Sequence, residues 1–165
     1  MDDKVIIKDI NLNEVNYENL ACFIRKAFSS LSKFGIKSPT ANVTEQHIRN
    51  KYTHLYYAYI NNCVVGVSAG KVFGNKFRLY ILAVSENHQN KGIGQLLLHY
   101  TIKEIEQLNV RYIYLNTMLP AKSNIHLYKK VVLKNLHLQG IRRTIFQLFL
   151  EDILKKRFLR IYIVI

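Results

Sequence analysis

The sequence predicts a mixed α/β domain in which a central, mostly antiparallel sheet is flanked by helices. Three observations carry that expectation. The turn pairs Asn61-Asn62 and Gly74-Asn75 separate three runs rich in β-branched and aromatic residues. Apolar residues at three- and four-residue spacing mark helices on either side of those runs. Residues 76–115 then read strand, turn, helix, strand, a βαβ unit that joins the meander.

In chain order, Lys4 to Asp9 reads as a short strand, because Val5-Ile6-Ile7 is a β-branched run closed by the polar stretch from Asp9 to Asn13. A helix follows from Glu14. Leu20, Phe23, Ile24, Ala27, Phe28 and Leu31 form its apolar stripe, and Gly35 stops it. Ser38-Pro39-Thr40 is a loop, and Thr44 caps a short helix to about Lys51, its hydroxyl accepting an orphan backbone N–H. Leu55 to Ile60, Cys63 to Phe73 and Lys76 to Val84 make a three-stranded antiparallel meander. Gly92 to Leu108 is a helix with Ile93, Leu96, Leu97, Tyr100, Ile105 and Leu108 on its buried side. Arg111 to Leu115 returns as a strand, and Pro120 precedes another short helix over roughly residues 122–130.

The chain has 165 residues, 49% of them apolar and 12% aromatic, enough for one domain with a real core and against a disordered chain. No uninterrupted apolar run approaches the ~20 residues of a membrane span. The opening Met1-Asp2-Asp3-Lys4 lacks the basic start and apolar block of a secretory signal. Cys22 and Cys63 have neither metal-ligand spacing nor the density of a disulfide scaffold. A soluble, cytoplasmic protein is therefore expected, with no metal. Lys and Arg number 24 against 11 Asp and Glu, a formal +13, so anionic partners are favoured. Up to Lys130 there are 17 basic and 9 acidic residues; after it, 7 and 2, so the last 35 residues are much the more basic.

The informative stretch runs from Leu82 to Gly94. An apolar strand ends at Val84, and a turn delivers the chain into a helix that opens Gly92-Ile93-Gly94. The first helical N–H groups have no partner within the helix, and the macrodipole puts about half a positive charge there, so the turn suits a phosphate group. Glycines let oxygens approach the backbone, and Lys91 adds a cation. The third glycine of the dinucleotide fingerprint and the Lys-Ser/Thr pair of a P-loop are both missing.

Gln89-Asn90-Lys91-Gly92-Ile93-Gly94 matches the Gln/Arg-x-x-Gly-x-Gly/Ala signature of the GCN5-related N-acetyltransferases, and the order of elements resembles that family from about Val5 to Lys130. The resemblance implies a fold of that type and acetyl-CoA as co-substrate. It implies that Gln89, Asn90, Lys91, Gly92, Ile93, Gly94 and Gln95 hold the coenzyme's pyrophosphate, and that Leu82, Ala83 and Val84 pair with the pantetheine arm. Asn124 to Lys130 looks like the family's fourth-helix motif, whose tyrosine lies near the coenzyme sulfur. Tyr128 is thus the expected catalytic acid, a neutral phenol able to protonate the departing thiolate. An amine would attack the thioester directly, and a backbone N–H near Val84 would stabilise the oxyanion. Asn116 is read either as a coenzyme or acceptor contact or as a turn residue ending its strand.

No acidic side chain lies on residues 76–84, so the general base is unassigned. Glu86 reads as a solvated turn residue, His88 as a surface or packing histidine, and a water chain remains the alternative. Cys22, in a helix stripe, and Cys63, at a strand start, are poor nucleophiles.

The end of the chain departs from the family pattern, which has a Gly-Phe turn and two closing strands after the tyrosine helix. Here Val131-Val132-Leu133 follows, with no glycine until Gly140. Two readings stay open for residues 131–165, taken as an atypical segment of the same domain. Ile145, Phe146, Phe149, Leu150, Ile153, Leu154, Phe158 and Ile161 recur at helical spacing beside Arg142, Arg143, Lys155, Lys156, Arg157 and Arg160, a basic amphipathic helix. Alternatively, codons permitted for Val131 to Ile153, moved by one base, yield Gly-Cys-Phe-Lys-Lys-Leu-Thr-Leu-Ala-Gly-Tyr and later Tyr-Asn-Ile-Ser-Ile-Ile-Phe-Arg-Arg-Tyr-Ile. Those strings are similar to the family's closing elements, so a frameshifted end is the other reading.

The first expectation is thus an acetyl-CoA-dependent N-acetyltransferase acting on a primary amine: a small amine, an antibiotic, an amino acid or a protein terminus. A polycationic acceptor is disfavoured by the charge of +13. A non-catalytic coenzyme-binding or interaction module, a pseudoenzyme with an altered C-terminus, is the alternative. Nucleic-acid binding is weaker, since the charge is scattered without a recognised motif. Whether the chain pairs with a second copy stays open.

Overall fold

A computed structural model describes residues 4–29, 40, 42–118, 126–128, 130, 148–149 and 158–164, with residues 118, 148–149 and 158–164 as backbone alone. The described residues include seven strands: β1 (Ile6–Asp9), β2 (His54–Ile60), β3 (Cys63–Phe73), β4 (Lys76–Val84), β5 (Tyr112–Met118), β6 (Leu148–Phe149) and β7 (Phe158–Val164). They form one sheet in the order β1-β2-β3-β4-β5-β7-β6. Every neighbouring pair is antiparallel except β4 and β5.

Local chemistry sets the boundaries. Asn61 and Asn62 adopt φ of 49° and 63°, the left-handed angles that a two-residue hairpin between β2 and β3 demands and that Asn tolerates. Gly74, at φ 58°, turns β3 into β4. Helix α1 (Tyr17–Phe28) begins three residues later than its stripe suggested, because Asn16 caps it, its side chain accepting from the Asn19 N–H at 3.0 Å. Residues 12–14 form a separate single turn. Leu31 and Gly35 lie outside the described residues. Helix α2 (Glu45–Lys51) starts as expected at Thr44, whose hydroxyl accepts from the His47 N–H at 3.3 Å.

Helix α3 (Ile93–Glu106) lies on one face of the sheet, and α1 and α2 lie on the other. Under α3, Leu98, Ile102 and Ile105 pack with Phe77, Leu79, Ile113 and Leu115. On the opposite face Leu20, Ile24 and Ile48 pack with Leu55, Val67, Ile81 and Ala83. Gly66 lets α3 close on the sheet, since a Cβ there would come within 2.7 Å of Leu97 Cδ1. The buried Ser68 and Thr101 hydroxyls satisfy each other at 2.7 Å between sheet and helix, and Thr101 also donates to the Leu97 carbonyl.

Leu96 and Leu108, expected on the buried side of the helix, are exposed, and α3 ends at Glu106, short of Leu108. Two larger features also differ from the sequence reading. The register of β3 and β4 slips between Ala69 and Gly70: Ala69 faces Ile81 while Gly70 faces Leu79, so Tyr80 is an extra residue in a bulge. The slip reverses the alternation of β4. Phe77 and Leu79 face α3, whereas beyond Tyr80 it is Ile81 and Ala83 that face α1 and α2.

The second concerns the end of the chain. The amphipathic-helix reading does not hold for Phe149, Phe158 and Ile161, which lie in strands β6 and β7. Phe158-Leu159-Arg160-Ile161-Tyr162-Ile163-Val164 is aromatic and β-branched, and it meets an edge of β5 that would otherwise be unpaired; β7 pairs with all seven residues of β5. Two closing strands are therefore present. Most of the span that bears on the reading frame, residues 131–147 and 150–153, lies outside the described residues. Among the described residues no helix is long and apolar enough to cross a membrane.

Candidate functional site

Strand β4 pairs with β3 along its length, but with β5 only through Lys76–Tyr112, Phe77–Ile113 and Arg78–Tyr114. Beyond Arg78 the two parallel neighbours part. The bulge at Tyr80 supplies a cause, because an extra residue bends and twists the strand that carries it. The result is a fork, with β4 residues 82–84 on one arm and the second half of β5 on the other.

Register decides which peptide groups face the fork. Ser85 N–H donates to the Val65 carbonyl at 2.9 Å. Counting back along the antiparallel ladder, Ala83 is hydrogen-bonded with Val67, whereas Leu82 and Val84 turn their N–H and C=O groups away from β3, toward the fork. Of the three residues expected to meet a pantetheine arm, the backbones of Leu82 and Val84 face it and that of Ala83 does not. The Val84 carbonyl accepts from Gln89 Nε2 at 3.0 Å.

The turn after β4 is tied at several points. Ser85 Oγ lies 2.9 Å from His88 Nδ1, His88 N–H donates to the Ser85 carbonyl, and Gln89 N–H donates to the Glu86 carbonyl. Asn90 and Gly92 then take left-handed angles, φ 62° and 81°. The first helical bond of α3 runs from Leu96 N–H to the Gly92 carbonyl, at 3.0 Å, so the Ile93, Gly94 and Gln95 amides lack helical acceptors. Unlike α1 and α2, α3 has no side-chain cap and no acidic residue in its first turn, so its positive end is uncompensated. A Cβ at Gly92 would meet nothing within 4 Å, and Lys91 beside it is exposed. Ile93 is buried under the sheet instead and contributes its amide alone.

Residues 126–128 are helical; Asn124 and the start of the expected fourth helix lie outside the described residues. Tyr128 is buried in the cluster under α3, among Leu79, Leu98 and Leu115, with Leu82 packed against the same cluster. Burial pushes its phenol well above the ordinary value of 10, so the hydroxyl keeps its proton. Gly94 joins the parts: a Cβ on it would lie 3.4 Å from Leu127 and 3.7 Å from Val84. The helix start, the strand end and the segment carrying Tyr128 thus meet at one place.

The remaining candidates lie away from that meeting point, Asn116 on the β5 arm of the fork and the others outside it. Asn116 is exposed, opposite Arg160, and β5 runs on to Met118, so Asn116 does not end its strand. Glu86 is exposed in a single turn. Cys63 is exposed at the start of β3, and Cys22 is half-buried on α1; both are free thiols. The sequence reading missed the bulge at Tyr80 and the side chains around it. Arg78 lies over the Tyr80 ring at 4.5 Å and Lys51 over the same ring at 4.6 Å.

The profile of the Acetyltransferase (GNAT) family matches residues 21–132. A search of curated proteins finds no match. Among solved structures, the chain is similar to the PaiA N-acetyltransferase of Thermoplasma acidophilum in complex with coenzyme A, at 16% identity and TM-score 0.71, covering 98% of this chain and 99% of that one. The ribosomal-protein-S18-alanine N-acetyltransferase of Escherichia coli aligns at 16% identity and TM-score 0.68, covering 98% and 94%. A GNAT family acetyltransferase of Elizabethkingia anophelis with acetyl-CoA bound aligns at 16% identity and TM-score 0.63 over the whole of both chains.

Proposed function

The chain belongs to the GNAT acetyltransferase family, and from that premise we propose that it transfers the acetyl group of acetyl-CoA to a primary amine by direct attack in a ternary complex. The observation that carries this reading is the alignment of the uncapped α3 amides with the open edge of β4 at a single fork. A diphosphate is the kind of group that three amides without helical acceptors, an open glycine and a lysine accommodate. The amide-rich arm of the coenzyme suits the outward peptide groups of Leu82 and Val84, as an added strand would.

When bound, acetyl-CoA supplies an activated thioester; the rest falls to the chain. Ile93, Gly94 and Gln95 amides hold the diphosphate, with Gln89, Asn90, Lys91 and Gly92 shaping the turn around it. The Val84 N–H faces the fork, where it can donate to an acyl oxygen as charge develops. Tyr128, kept as a phenol by burial, donates its proton to the leaving sulfur. Asn116, exposed on the β5 arm, contacts the coenzyme or the acceptor in this reading. His88 is held by Ser85 Oγ and Glu86 is an exposed turn residue, so in this reading the amine's proton leaves through water. A covalent acetyl-enzyme has no candidate among the described thiols, because neither Cys22 nor Cys63 belongs to the fork. Two free thiols and this co-substrate suit a reducing compartment, the cytoplasm. Family membership and the pairing of β7 with β5 favour this reading over a non-catalytic module.

The test is release of free coenzyme thiol when the protein is mixed with acetyl-CoA and a panel of amines. Acetylated product in step with thiol release supports the proposal; saturable coenzyme binding with no transfer to any amine overturns it.

A further inference from the structure

We propose that Lys51, Arg78 and Tyr80 form an anion subsite that receives the carboxylate of the acceptor, so that the acceptor is a carboxylate-bearing amine such as an amino acid. The proposal rests on the acetyltransferase reading and extends it to the class of acceptor.

Two cations share one aromatic ring. Arg78 Cζ lies 4.5 Å and Lys51 Nζ 4.6 Å from the centroid of Tyr80. The guanidinium also lies 5.7 Å from the ring of Tyr114, its cross-strand partner, and Tyr52 tilts against Tyr80 at 5.6 Å. Ring faces attract each cation singly, but they do not cancel the repulsion between the two, which sit at most about 9 Å apart. That repulsion, after burial, holds the Lys51 ammonium below its ordinary pKa. Among the described residues neither cation has a carboxylate within ion-pair distance, whereas Arg49, two residues before Lys51, has Glu45. A bound anion relieves a strain that the described part of the chain leaves in place.

The position fits an acceptor. Arg78 and Tyr114 form the last rung before β4 and β5 part, and Tyr80 is the bulged residue at the apex of the fork. Tyr80 packs against the cluster under α1 and α2, whereas Leu82, Tyr128 and the start of α3 belong to the opposite face. The cations therefore meet the fork from the side away from the amides assigned to the diphosphate. Tyr80 precedes Leu82 by two residues, roughly 6–7 Å of extended chain. An amine one or two bonds from a carboxylate held at Tyr80 lies near the open edge of β4. The net charge of +13 acts the same way, since it favours anions over polycations.

The experiment compares L-amino acids with their carboxamides, which carry the same amine without the anion, in wild type, Arg78→Gln, Lys51→Gln and Arg78→Lys. The expected result is a wild-type preference for carboxylates of at least tenfold in kcat/KM. Arg78→Gln should lose at least tenfold more on carboxylates than on carboxamides, Lys51→Gln a smaller share, and Arg78→Lys should regain part of the loss. KM for acetyl-CoA should move by less than about twofold to threefold. Equal losses on both substrate sets, or a rise in the acetyl-CoA KM as the main effect, overturns the subsite. Binding of the N-acetyl amino acids and their amides, measured calorimetrically on the same variants, separates the two proposals. Carboxylate binding that depends on Arg78, without transfer to any amine, retains the anion site and sinks the acetyltransferase activity. Transfer that is indifferent to the carboxylate does the reverse.

Discussion

Residues 76–78 of β4 are paired on both edges, with β3 and with β5, whereas residues 82–84 are paired with β3 alone. The closed half points Phe77 into the core under α3, fully buried; the open half presents the Leu82 and Val84 peptide groups to a fork. One bulged residue, Tyr80, separates them. A strand of nine residues thus does two jobs: the first part holds the two sides of the sheet together, and the second forgoes ladder bonds to stay available. Backbone groups left unpaired away from water are costly, so an open half persists only when its groups find other partners. Gln89 takes one of them, the Val84 carbonyl, and the coenzyme is the proposed partner of the rest.

The largest effect expected from the open side is on chemistry. Tyr128→Phe keeps the ring that packs among Leu79, Leu98 and Leu115 and removes only the hydroxyl. Turnover should fall by roughly 10²- to 10⁴-fold, the usual worth of a positioned proton donor, with coenzyme affinity nearly unchanged. Because burial raises the phenol above its ordinary pKa of 10, the wild-type rate should not decline through loss of this proton until the pH exceeds 10. Pre-steady-state rates and coenzyme titration on the same samples read both quantities. Equal losses in turnover and affinity would show that Tyr128 only packs.

The closed half breaks differently. A Cβ at Gly70 would collide with the Phe77 ring and fall 2.5 Å from the Arg78 carbonyl oxygen. The Phe77 ring is fully buried and has little room to yield, and the backbone oxygen belongs to the last rung before the fork. Gly70→Val should therefore destabilise the fold by about 3 kcal/mol, measured by urea unfolding, with activity lost in proportion to the unfolded fraction. A stable Gly70→Val protein with ordinary activity would mean that the bulge does not govern where the strands part.

Gly92→Val sharpens the contrast, since it acts on the fork while leaving the core alone. The site is open to 4 Å, so no packing is lost, but φ is 81°, where a β-branched residue is strained. Coenzyme affinity should weaken by about ten- to a hundredfold, with a stability cost on the order of 1–2 kcal/mol. Unchanged affinity by calorimetry would mean that no phosphate sits at the start of α3.

How much of this could be read from the chain follows the same division. The strand ends at Cys63–Phe73 and Lys76–Val84, the cap at Thr44 and the Asn61-Asn62 turn are legible because each is decided by neighbouring residues. The bulge at Tyr80 is not, because a break in alternation shows only against a partner strand: Phe77, Leu79, Ile81 and Ala83 are all buried, and a single strand gives no hint that they face two sides. The pairing of Lys51 with Arg78 is hidden for the same reason, as 27 positions separate residues that tertiary structure sets on one ring. Phe158 and Ile161 fit a helical period and also lie in an aromatic and β-branched run, and the free edge of β5 decides between the two. Helix α1 ends at Phe28 within the described residues, so Leu31 and Gly35 add nothing to that account.

The smallest effect expected is at Gln89, and it separates holding from binding. As a member of the signature, Gln89 reads as a coenzyme contact, yet its amide donates to the Val84 carbonyl at 3.0 Å. That bond spans the turn and fixes the peptide group whose neighbouring N–H, that of Val84, faces the fork. Gln89→Ala removes one neutral hydrogen bond, worth about 0.5–1.5 kcal/mol, or roughly two- to tenfold in rate or binding. If Gln89 acts by orienting the end of β4, the loss falls on kcat, and coenzyme affinity changes by less than about twofold. Gln89→Glu, which keeps the length but sets a carboxylate against a carbonyl oxygen, should lose more than Gln89→Ala in kcat. If Gln89 instead touches the diphosphate, both variants should weaken coenzyme binding, and the Glu variant most of all, since its charge opposes the ligand's. The ratio of the kcat change to the affinity change across the two variants therefore distinguishes a latch on the open half of β4 from a wall of the coenzyme site.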